Sequence, residues 1–150
     1  MDDNAHVMLR FAEGARGMLW CSQVAPGNEN ALRLRVYGSK GGIEWEQENP
    51  NVMRYTPFSE PTRLLTRSGA GALGQPDHLT RTPGGHPEGY LEGFANIYLE
   101  TATCIRDKQA GKQESASGSL PGIEDGMLGM TFIDACVRSA ARNSAWVSLK

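Results

Sequence analysis

One stretch of the chain decides where its first helix begins: Arg81-Thr82-Pro83-Gly84-Gly85-His86-Pro87-Glu88-Gly89-Tyr90. The Pro-Gly-Gly run disfavours regular structure, and Pro87 suits the first turn of a helix, whose N–H groups have no intrahelical partner. Glu88 would lie in that first turn, where a carboxylate complements the positive end of the helix dipole. The stretch therefore predicts a loop that ends at His86 and a helix that starts directly after it.

Apolar side chains beyond this start recur at three- and four-residue steps, which predicts one apolar stripe on a helix that runs to about Ala110. The stripe consists of Tyr90, Leu91, Phe94, Ile97, Tyr98, Ala102 and Ile105. After a polar connector over residues 111–122, a second helix is predicted over residues 123–142, closed by Asn143. Its apolar positions are so broadly spread that we expect this helix to be well buried.

Alternation of apolar and polar residues predicts antiparallel strands before the first helix. A hairpin covers residues 6–24 with its turn at Glu13-Gly14, and further strands cover about 32–37, 43–48, 52–56 and 62–67. Residues 145–149 alternate as well and predict a last strand. This order predicts an α+β fold: an open, mostly antiparallel sheet with two helices packed on one face, in a single domain over residues 1–150.

The register of the third and fourth strands is predicted from charge. If Ser39-Lys40-Gly41-Gly42 forms the turn, then Arg35 faces Glu46 and Arg33 faces Glu48. Such cross-strand pairs of opposite charge each contribute roughly 0.2–1 kcal/mol. We expect a solvated sheet face here, although an arginine- and tyrosine-rich face can also meet a partner subunit.

Composition favours a small cytoplasmic protein that binds neither nucleic acid nor a membrane. The net charge is −2, and no cluster of basic residues alternates with aromatic ones. No apolar run reaches membrane-spanning length, and the acidic N-terminus is unlike a signal peptide. Cys21, Cys104 and Cys136 are widely spaced and predict buried free thiols, which favours a reducing compartment.

Three possible site motifs are weak. Residues 69–74 match the dinucleotide pattern G-x-G-x-x-G, but Gln75-Pro76 follows at once and no parallel strand comes after it, so we expect no cofactor to bind there. Asp77, His78 and His86 lack a metal-ligand spacing, and we expect no metal. Asp2 and His6 stand four apart, but on a strand rather than a helix, so we assign no catalytic residue.

His86 remains the one candidate from these patterns alone. It follows a loop that glycine allows to approach a ligand closely, over the Gly- and Pro-rich residues 68–85, and irregular segments of that length are commonly functional. The alternative is that its imidazole only caps or packs against the start of the helix. The pattern does not decide between the two.

Three blocks of sequence resemble the C-terminal domain of the Gfo/Idh/MocA oxidoreductases, the family of glucose-fructose oxidoreductase and inositol dehydrogenase. They are residues 36–45 (VYGSKGGIEW), 81–98 (RTPGGHPEGYLEGFANIY) and 124–133 (EDGMLGMTFI), and the hairpin at 9–17 fits too. The resemblance implies an open antiparallel sheet with substrate contacts on one side and subunit contacts on the other. It places His86, and with it Arg81 of the same loop, at the border of a pocket for a sugar or polyol.

The same resemblance implies a Rossmann domain that binds NAD or NADP, and this sequence lacks the glycine fingerprint and the Glu-Lys-Pro lysine of that domain. The helix that carries the family's proton-transfer aspartate and histidine is also missing. We therefore expect a domain that self-associates through its sheet face, binds no cofactor itself and transfers no hydride alone. The alternative is a stand-alone ligand-binding or dimerisation module without catalysis.

Overall fold

A computed structural model describes residues 3–70, 79–112 and 120–149. The chain forms two compact units, one of Met1–Gly27 with Gly118–Lys150 and the other of Asn28–Ser117. The predicted α+β class with open, antiparallel sheets is confirmed. In chain order, the elements are β1 (Asn4–Arg10), β2 (Arg16–Ser22), β3 (Arg33–Gly38), β4 (Gly41–Glu46), β5 (Val52–Pro57), β6 (Arg63–Thr66), α1 (Tyr90–Gln109) and α2 (Ile123–Ala140).

The first unit contains the predicted hairpin and the second helix. Strands β1 and β2 form a two-stranded antiparallel sheet in which His6 lies opposite Trp20 and Met8 opposite Met18. Gly14 makes the turn with a φ of +91°, a conformation that glycine adopts at little cost. Helix α2 follows its predicted range closely, and its first turn carries Glu124 and Asp125, which complement the helix dipole.

The second unit contains a four-stranded sheet in the order β3-β4-β5-β6. Its predicted register was wrong by two residues, because Arg33 pairs with Glu46 and Arg35 with Glu44. The turn has only Ser39 and Lys40 at its tip, so Gly41 belongs to the strand. On its other side, Gly41 approaches β5 so closely that a Cβ atom there would clash with the carbonyl oxygen of Thr56.

Opposite charges still meet on this sheet, as expected, although between different partners. The Nε atom of Arg33 lies 3.6 Å from a carboxylate oxygen of Glu46. Glu44 lies between Arg35 on one side and Arg54 on the other, with 3.9 Å to the Nε of Arg54. These side chains are exposed, so each pair contributes little to stability.

Helix α1 begins later than predicted. Its first residue is Tyr90 and its N-cap is Gly89, so Pro87 and Glu88 precede the helix. The carboxylate of the first turn is that of Glu92, whose Oε2 accepts a hydrogen bond from the N–H of Gly89 at 2.8 Å. Glu88 is held out of the helix because both of its peptide groups are hydrogen bonded to the side chain of Asn51. The end at Gln109 agrees with the prediction.

The predicted last strand is wrong. Residues 145–149 pair with none of the described strands. The chain leaves α2 through Asn143 and Ser144, whose φ angles of 55° and 61° lie in the left-handed region, and the N–H of Ser144 donates to the carbonyl of Ser139 at 2.9 Å. The guanidinium of Arg10 then lies over the ring of Trp146, 3.8 Å from its centroid. Alternation of apolar and polar residues does not show whether a neighbouring strand is available for pairing.

Burial of the helices was also predicted wrongly. In α2, Ala135 is buried at 5% exposure, but Ile123 is 81% exposed and Met130 66%. The apolar stripe of α1 is exposed too, with Tyr98 at 71%. Helical spacing identifies the apolar side of a helix but does not say whether the surface that covers it lies in the same chain. Neither helix in the described part of the chain is long and apolar enough to cross a membrane.

All three cysteines are free, as predicted. Their expected burial is wrong for Cys21, which is exposed, whereas Cys104 and Cys136 are half-buried. Cys21 lies opposite Ala5 in the hairpin. A two-stranded sheet provides few neighbours to cover a side chain near its end.

Candidate functional site

His86 is the last residue of a tight turn over residues 83–86. Its N–H donates to the carbonyl of Pro83 at 3.1 Å, and Gly85 between them has a φ of +83°. A type II turn requires this left-handed conformation at its third position, and glycine adopts it without steric cost. A Cβ atom on Gly84 would lie 3.1 Å from the carbonyl oxygen of Ser68, so the turn also approaches the chain beyond β6 closely.

The side chain of Arg67, directly after β6, binds the loop that carries His86. Nη1 donates to the carbonyl of Thr82 at 2.9 Å, Nη2 donates to the Thr82 hydroxyl at 3.1 Å, and Nη2 also donates to the carbonyl of His86. Nε donates to Oδ1 of Asn51 at 3.0 Å. The Arg67 side chain is only 15% exposed, and its planar fork fixes several acceptors at once.

Glu88 provides the opposite charge. Its Oε1 accepts hydrogen bonds from the N–H of Arg81 at 2.6 Å and from the N–H of Thr82, and it lies 3.5 Å from Nη1 of Arg67. The side chain is 7% exposed. Burial acts to raise the pKa of Glu88, but the hydrogen bonds from Thr82 and Arg81 and the charge of Arg67 outweigh it, so this pKa lies below its usual value. Glu88 is therefore ionised at neutral pH.

Asn51 joins this pair to the sheet. Its Nδ2 donates to the carbonyl of Glu88 at 2.7 Å, and its Oδ1 accepts from the N–H of Glu88 at 3.0 Å. The carbonyl of Asn51 accepts from the N–H of Arg67 at 2.9 Å. We call Asn51, Arg67, Thr82 and Glu88 the Arg67 network. Together these residues fix the backbone of residues 81–88, which we call the His86 loop.

The two predicted site residues, Arg81 and His86, lie at the two ends of this loop, and both have exposed side chains. The backbone of each is held by the Arg67 network, Arg81 through its N–H and His86 through its carbonyl. The Nε of Arg81 also donates to Oδ1 of Asn96 on α1 at 2.9 Å. An imidazole can donate and accept hydrogen bonds, and a guanidinium donates several, which suits a ligand rich in hydroxyl groups.

The sequence patterns missed most of the Arg67 network. Asn51 and Glu88 are 37 positions apart, and Arg67 and Thr82 are 15 apart. No short motif links residues at such distances. Glu88 was noticed only as a helix-dipole residue, which it is not. The one available signal was a charged residue, Arg67, at the end of an apolar strand and before a Gly-rich loop, and that signal is weak.

The structure describes few residues of the weaker site candidates. Gly71–Gly74 of the glycine pattern, Asp77, His78 and Asp2 lie outside the described residues. His6 lies in β1 and is exposed, as its strand assignment predicted. Within residues 3–70, 79–112 and 120–149, no three His, Cys, Asp or Glu side chains are grouped so as to hold a metal ion.

NAD or NADP, which the family resemblance implies, does not fit the described residues. A dinucleotide pyrophosphate binds free N–H groups at a helix N-terminus within a parallel βαβ unit. Every described strand pair is antiparallel. At both helix starts a carboxylate already accepts from the N-cap N–H, Glu92 from Gly89 at 2.8 Å and Asp125 from Gly122 at 2.7 Å. These carboxylates would repel a pyrophosphate.

Comparison with known proteins defines the class. Residues 1–149 match the family model described as the C-terminal alpha/beta domain of an oxidoreductase family. The chain therefore belongs to the Gfo/Idh/MocA oxidoreductases, of which it represents the C-terminal domain. This confirms the resemblance found in the sequence.

Individual relatives agree. The uncharacterized oxidoreductase YfiI of Bacillus subtilis is 37% identical over 152 residues, covering 100% of this chain and 38% of that protein. The crystal structure of an oxidoreductase from Sinorhizobium meliloti shares 60% identity with a TM-score of 0.91, over 99% of this chain and 42% of that one. An inositol dehydrogenase homolog from Azotobacter vinelandii, solved with NADH and myo-inositol, shares 30% identity with a TM-score of 0.88, over 98% of this chain and 39% of that one. The chain thus spans well under half the length of each.

Proposed function

We propose that this chain is the substrate-binding and oligomerisation domain of a sugar- or polyol-type NAD(P)-dependent oxidoreductase of the cytoplasm. Arg81 and His86 contact the substrate hydroxyls, and a Rossmann domain supplies the nicotinamide cofactor and the lysine for hydride transfer. The chain alone transfers no hydride. The observation that carries the proposal is an exposed imidazole on a loop that is fixed by a half-buried ion pair, in a domain of this family.

The substrate class is supported from two directions. Polyol recognition needs hydrogen-bond donors and acceptors held at fixed positions, and Arg81 and His86 offer these on a restrained backbone. The Azotobacter vinelandii relative, to which this chain is similar over 98% of its length, was solved with myo-inositol. We therefore take myo-inositol as the first probe, without restricting the substrate to it.

Exposed apolar side chains support the proposal that this chain contacts other protein surfaces. Apolar side chains along α1, along α2 and on the hairpin are more than half exposed, among them Tyr98, Met130 and Met18. Exposed apolar side chains in such number favour contact with another protein surface. One such surface would meet the Rossmann domain, and another would meet a second copy of this chain.

The alternative function is a stand-alone ligand-binding or dimerisation module. It shares with the first proposal the poor fit of the described residues to a dinucleotide, because in neither case does this domain hold the cofactor. The DNA upstream of the codon for Met1 discriminates between the two. A reading frame there with a glycine fingerprint and Glu-Lys-Pro favours the enzyme domain, and its absence favours the module.

A titration of the ¹⁵N-labelled chain with myo-inositol tests the binding site. We expect saturable shifts of the amide signals from Arg81 to Tyr90 as the ligand reaches millimolar concentration. His86→Ala should abolish or strongly weaken these shifts. Saturable shifts that centre elsewhere, or no shifts at all, contradict the assignment of this loop as the binding site.

The matched control is His6→Ala. His6 is also an exposed histidine, but it lies in β1 of the other compact unit. We expect this variant to bind myo-inositol like the wild type. Equal losses in the two variants would mean that the effect of His86→Ala is not local to the loop.

A further inference from the structure

We infer that Arg67 and Glu88 are positioning residues of the substrate site, because their half-buried ion pair ties the two ends of the His86 loop together and so presents Arg81 and His86 as one unit. The inference rests on the proposed function for its ligand. Neither residue contacts the substrate in this proposal. They act through the backbone of the loop.

The hydrogen bonds cross the loop from end to end. Glu88 lies at the C-terminal end of the loop, yet its Oε1 accepts from the N–H groups of Arg81 and Thr82 at the other end. Arg67 binds the carbonyl of Thr82 near one end and that of His86 near the other. Each ion therefore fixes both ends, and releasing either one frees Arg81 and His86 to move independently.

The Thr82 hydroxyl lies at the centre of this arrangement. It accepts from Nη2 of Arg67 at 3.1 Å and lies 3.0 Å from both the carbonyl of His86 and Oε1 of Glu88. A hydroxyl has a single hydrogen, so it donates to only one of those two acceptors at a time. The Thr82 hydroxyl thus links Arg67 to one of these two acceptors at a time.

An ion pair that is shielded from solvent is a poor device for stability alone. The Arg67 and Glu88 side chains are 15% and 7% exposed, so solvent contact with both charges is reduced. Replacing such a pair by apolar side chains of similar volume is often neutral or stabilising, whereas removing one partner is costly. The pair is instead well suited to fix geometry, since its hydrogen bonds are directional and reach acceptors that apolar side chains cannot hold.

Removal of both charges together distinguishes a positioning role from a purely structural one. The double variant Arg67→Met/Glu88→Leu removes both charges and keeps an apolar filling. We expect its urea midpoint to fall less than that of Arg67→Met or Glu88→Leu alone, because neither charge is left without its partner. Exchange of the Arg81 and Thr82 amide hydrogens should become about tenfold faster or more, because their acceptor on Glu88 is gone.

The ligand readout follows from the same variant. We expect its affinity for myo-inositol to fall about tenfold, with a change in the imidazole ¹H and ¹³C signals of His86. Arg63→Lys is the matched control. Arg63 lies on β6 and forms an exposed ion pair with Glu60, so this variant should leave exchange, affinity and the His86 signals unchanged. A double variant with wild-type exchange and affinity would overturn the inference.

Two further outcomes are separable. If the double variant does not fold, Glu88→Gln replaces it, because glutamine keeps an acceptor oxygen but removes the charge; unchanged exchange and affinity in that variant would also overturn the inference. If the wild type does not bind myo-inositol, the proposed function fails for this ligand. In that case, faster amide exchange in the variant would still support the restraint of the loop, and unchanged exchange would refute it.

Discussion

The side-chain amide of Asn51 pairs with the peptide groups of Glu88 as a neighbouring strand would, donating to the carbonyl at 2.7 Å and accepting from the N–H at 3.0 Å. This contact fixes where α1 can begin. It keeps the backbone of Glu88 outside the helix, so Gly89 becomes the N-cap. One polar residue next to β5 thereby sets both the start of the helix and the end of the His86 loop.

Asn51→Ala should destabilise the chain by about 2 kcal/mol, because it leaves the peptide groups of Glu88 and Nε of Arg67 without this partner in a half-buried setting. Urea unfolding followed by the fluorescence of Trp45 measures the change in the free energy of unfolding. Trp45 is a local reporter, since its Nε1 donates to the carbonyl of Pro50 at 3.1 Å. The control is Asn49→Ala, at an exposed position nearby, for which we expect less than about 0.5 kcal/mol. Similar effects of the two variants would argue against the contact.

The ionisation of Glu88 should make the loop sensitive to acid. Its pKa in the folded chain is lowered from the usual value, so the unfolded chain binds this proton more readily than the folded one. The stability that ionised Glu88 contributes is therefore fully present above a pH of about 4.3 and is lost as the pH falls through the lower, folded-state pKa. Arg67 stays charged throughout this range.

Comparison with Glu88→Gln isolates this contribution, since glutamine does not titrate. We expect the wild type to be more stable than the variant at about pH 7, and the difference to shrink steadily between about pH 5 and about pH 3. Urea unfolding at a series of pH values measures it. A difference that stays constant with pH would show that the charge of Glu88 contributes nothing to folding.

Local sequence patterns predicted the strands and helices well, because the spacing of apolar residues differs between a strand and a helix with one apolar side. Both helices and all six described strands were found in this way. The start of α1 was predicted wrongly because it depends on a contact that the spacing of apolar residues does not encode, the hydrogen bonds by which Asn51 keeps Glu88 outside the helix. The β3-β4 register was predicted wrongly because the turn has only Ser39 and Lys40 at its tip, so that Gly41 already pairs with Gly38.

The site was predictable only in part. His86 and Arg81 stood out through the glycine-rich loop and the family resemblance. The residues that hold them did not, since Arg67 and Glu88 become neighbours only when β6 is set against the segment before α1. Their effect on substrate binding stays a prediction.

Gly85→Ala should destabilise the chain by about 1 kcal/mol or more, because alanine resists the φ of +83° that the turn before His86 requires. Gly93→Ala provides the opposite case. Gly93 lies inside α1, and a Cβ atom there would meet nothing within 4 Å, so we expect alanine to stabilise the helix by roughly 0.5–1 kcal/mol. Thermal unfolding of the two variants measures whether each one gains or loses stability. A Gly85→Ala variant as stable as the wild type or more stable would mean that the turn is not as tightly constrained as its dihedral angles indicate, whereas destabilisation by Gly93→Ala would contradict only the prediction for α1.

Self-association should depend on the outer face of the hairpin. Met8 and Met18 lie opposite each other and are 63% and 65% exposed, and Trp20 beside them is 55% exposed. Since water contact with such a patch is unfavourable, we expect the chain to dimerise at micromolar concentration through this face. Met18→Lys should weaken the dimer about tenfold by burying a charge in its centre, as light scattering over a concentration series would measure.

The control for that variant is Ala110→Lys, which adds the same charge at the exposed end of α1 and should leave the dimer intact. Two results contradict the prediction in different ways. A wild-type chain that stays monomeric across the series excludes self-association through any face. Equal weakening by Met18→Lys and Ala110→Lys would mean that net charge, and not the hairpin face, governs the assembly, because only a local contact distinguishes two lysines placed on different elements.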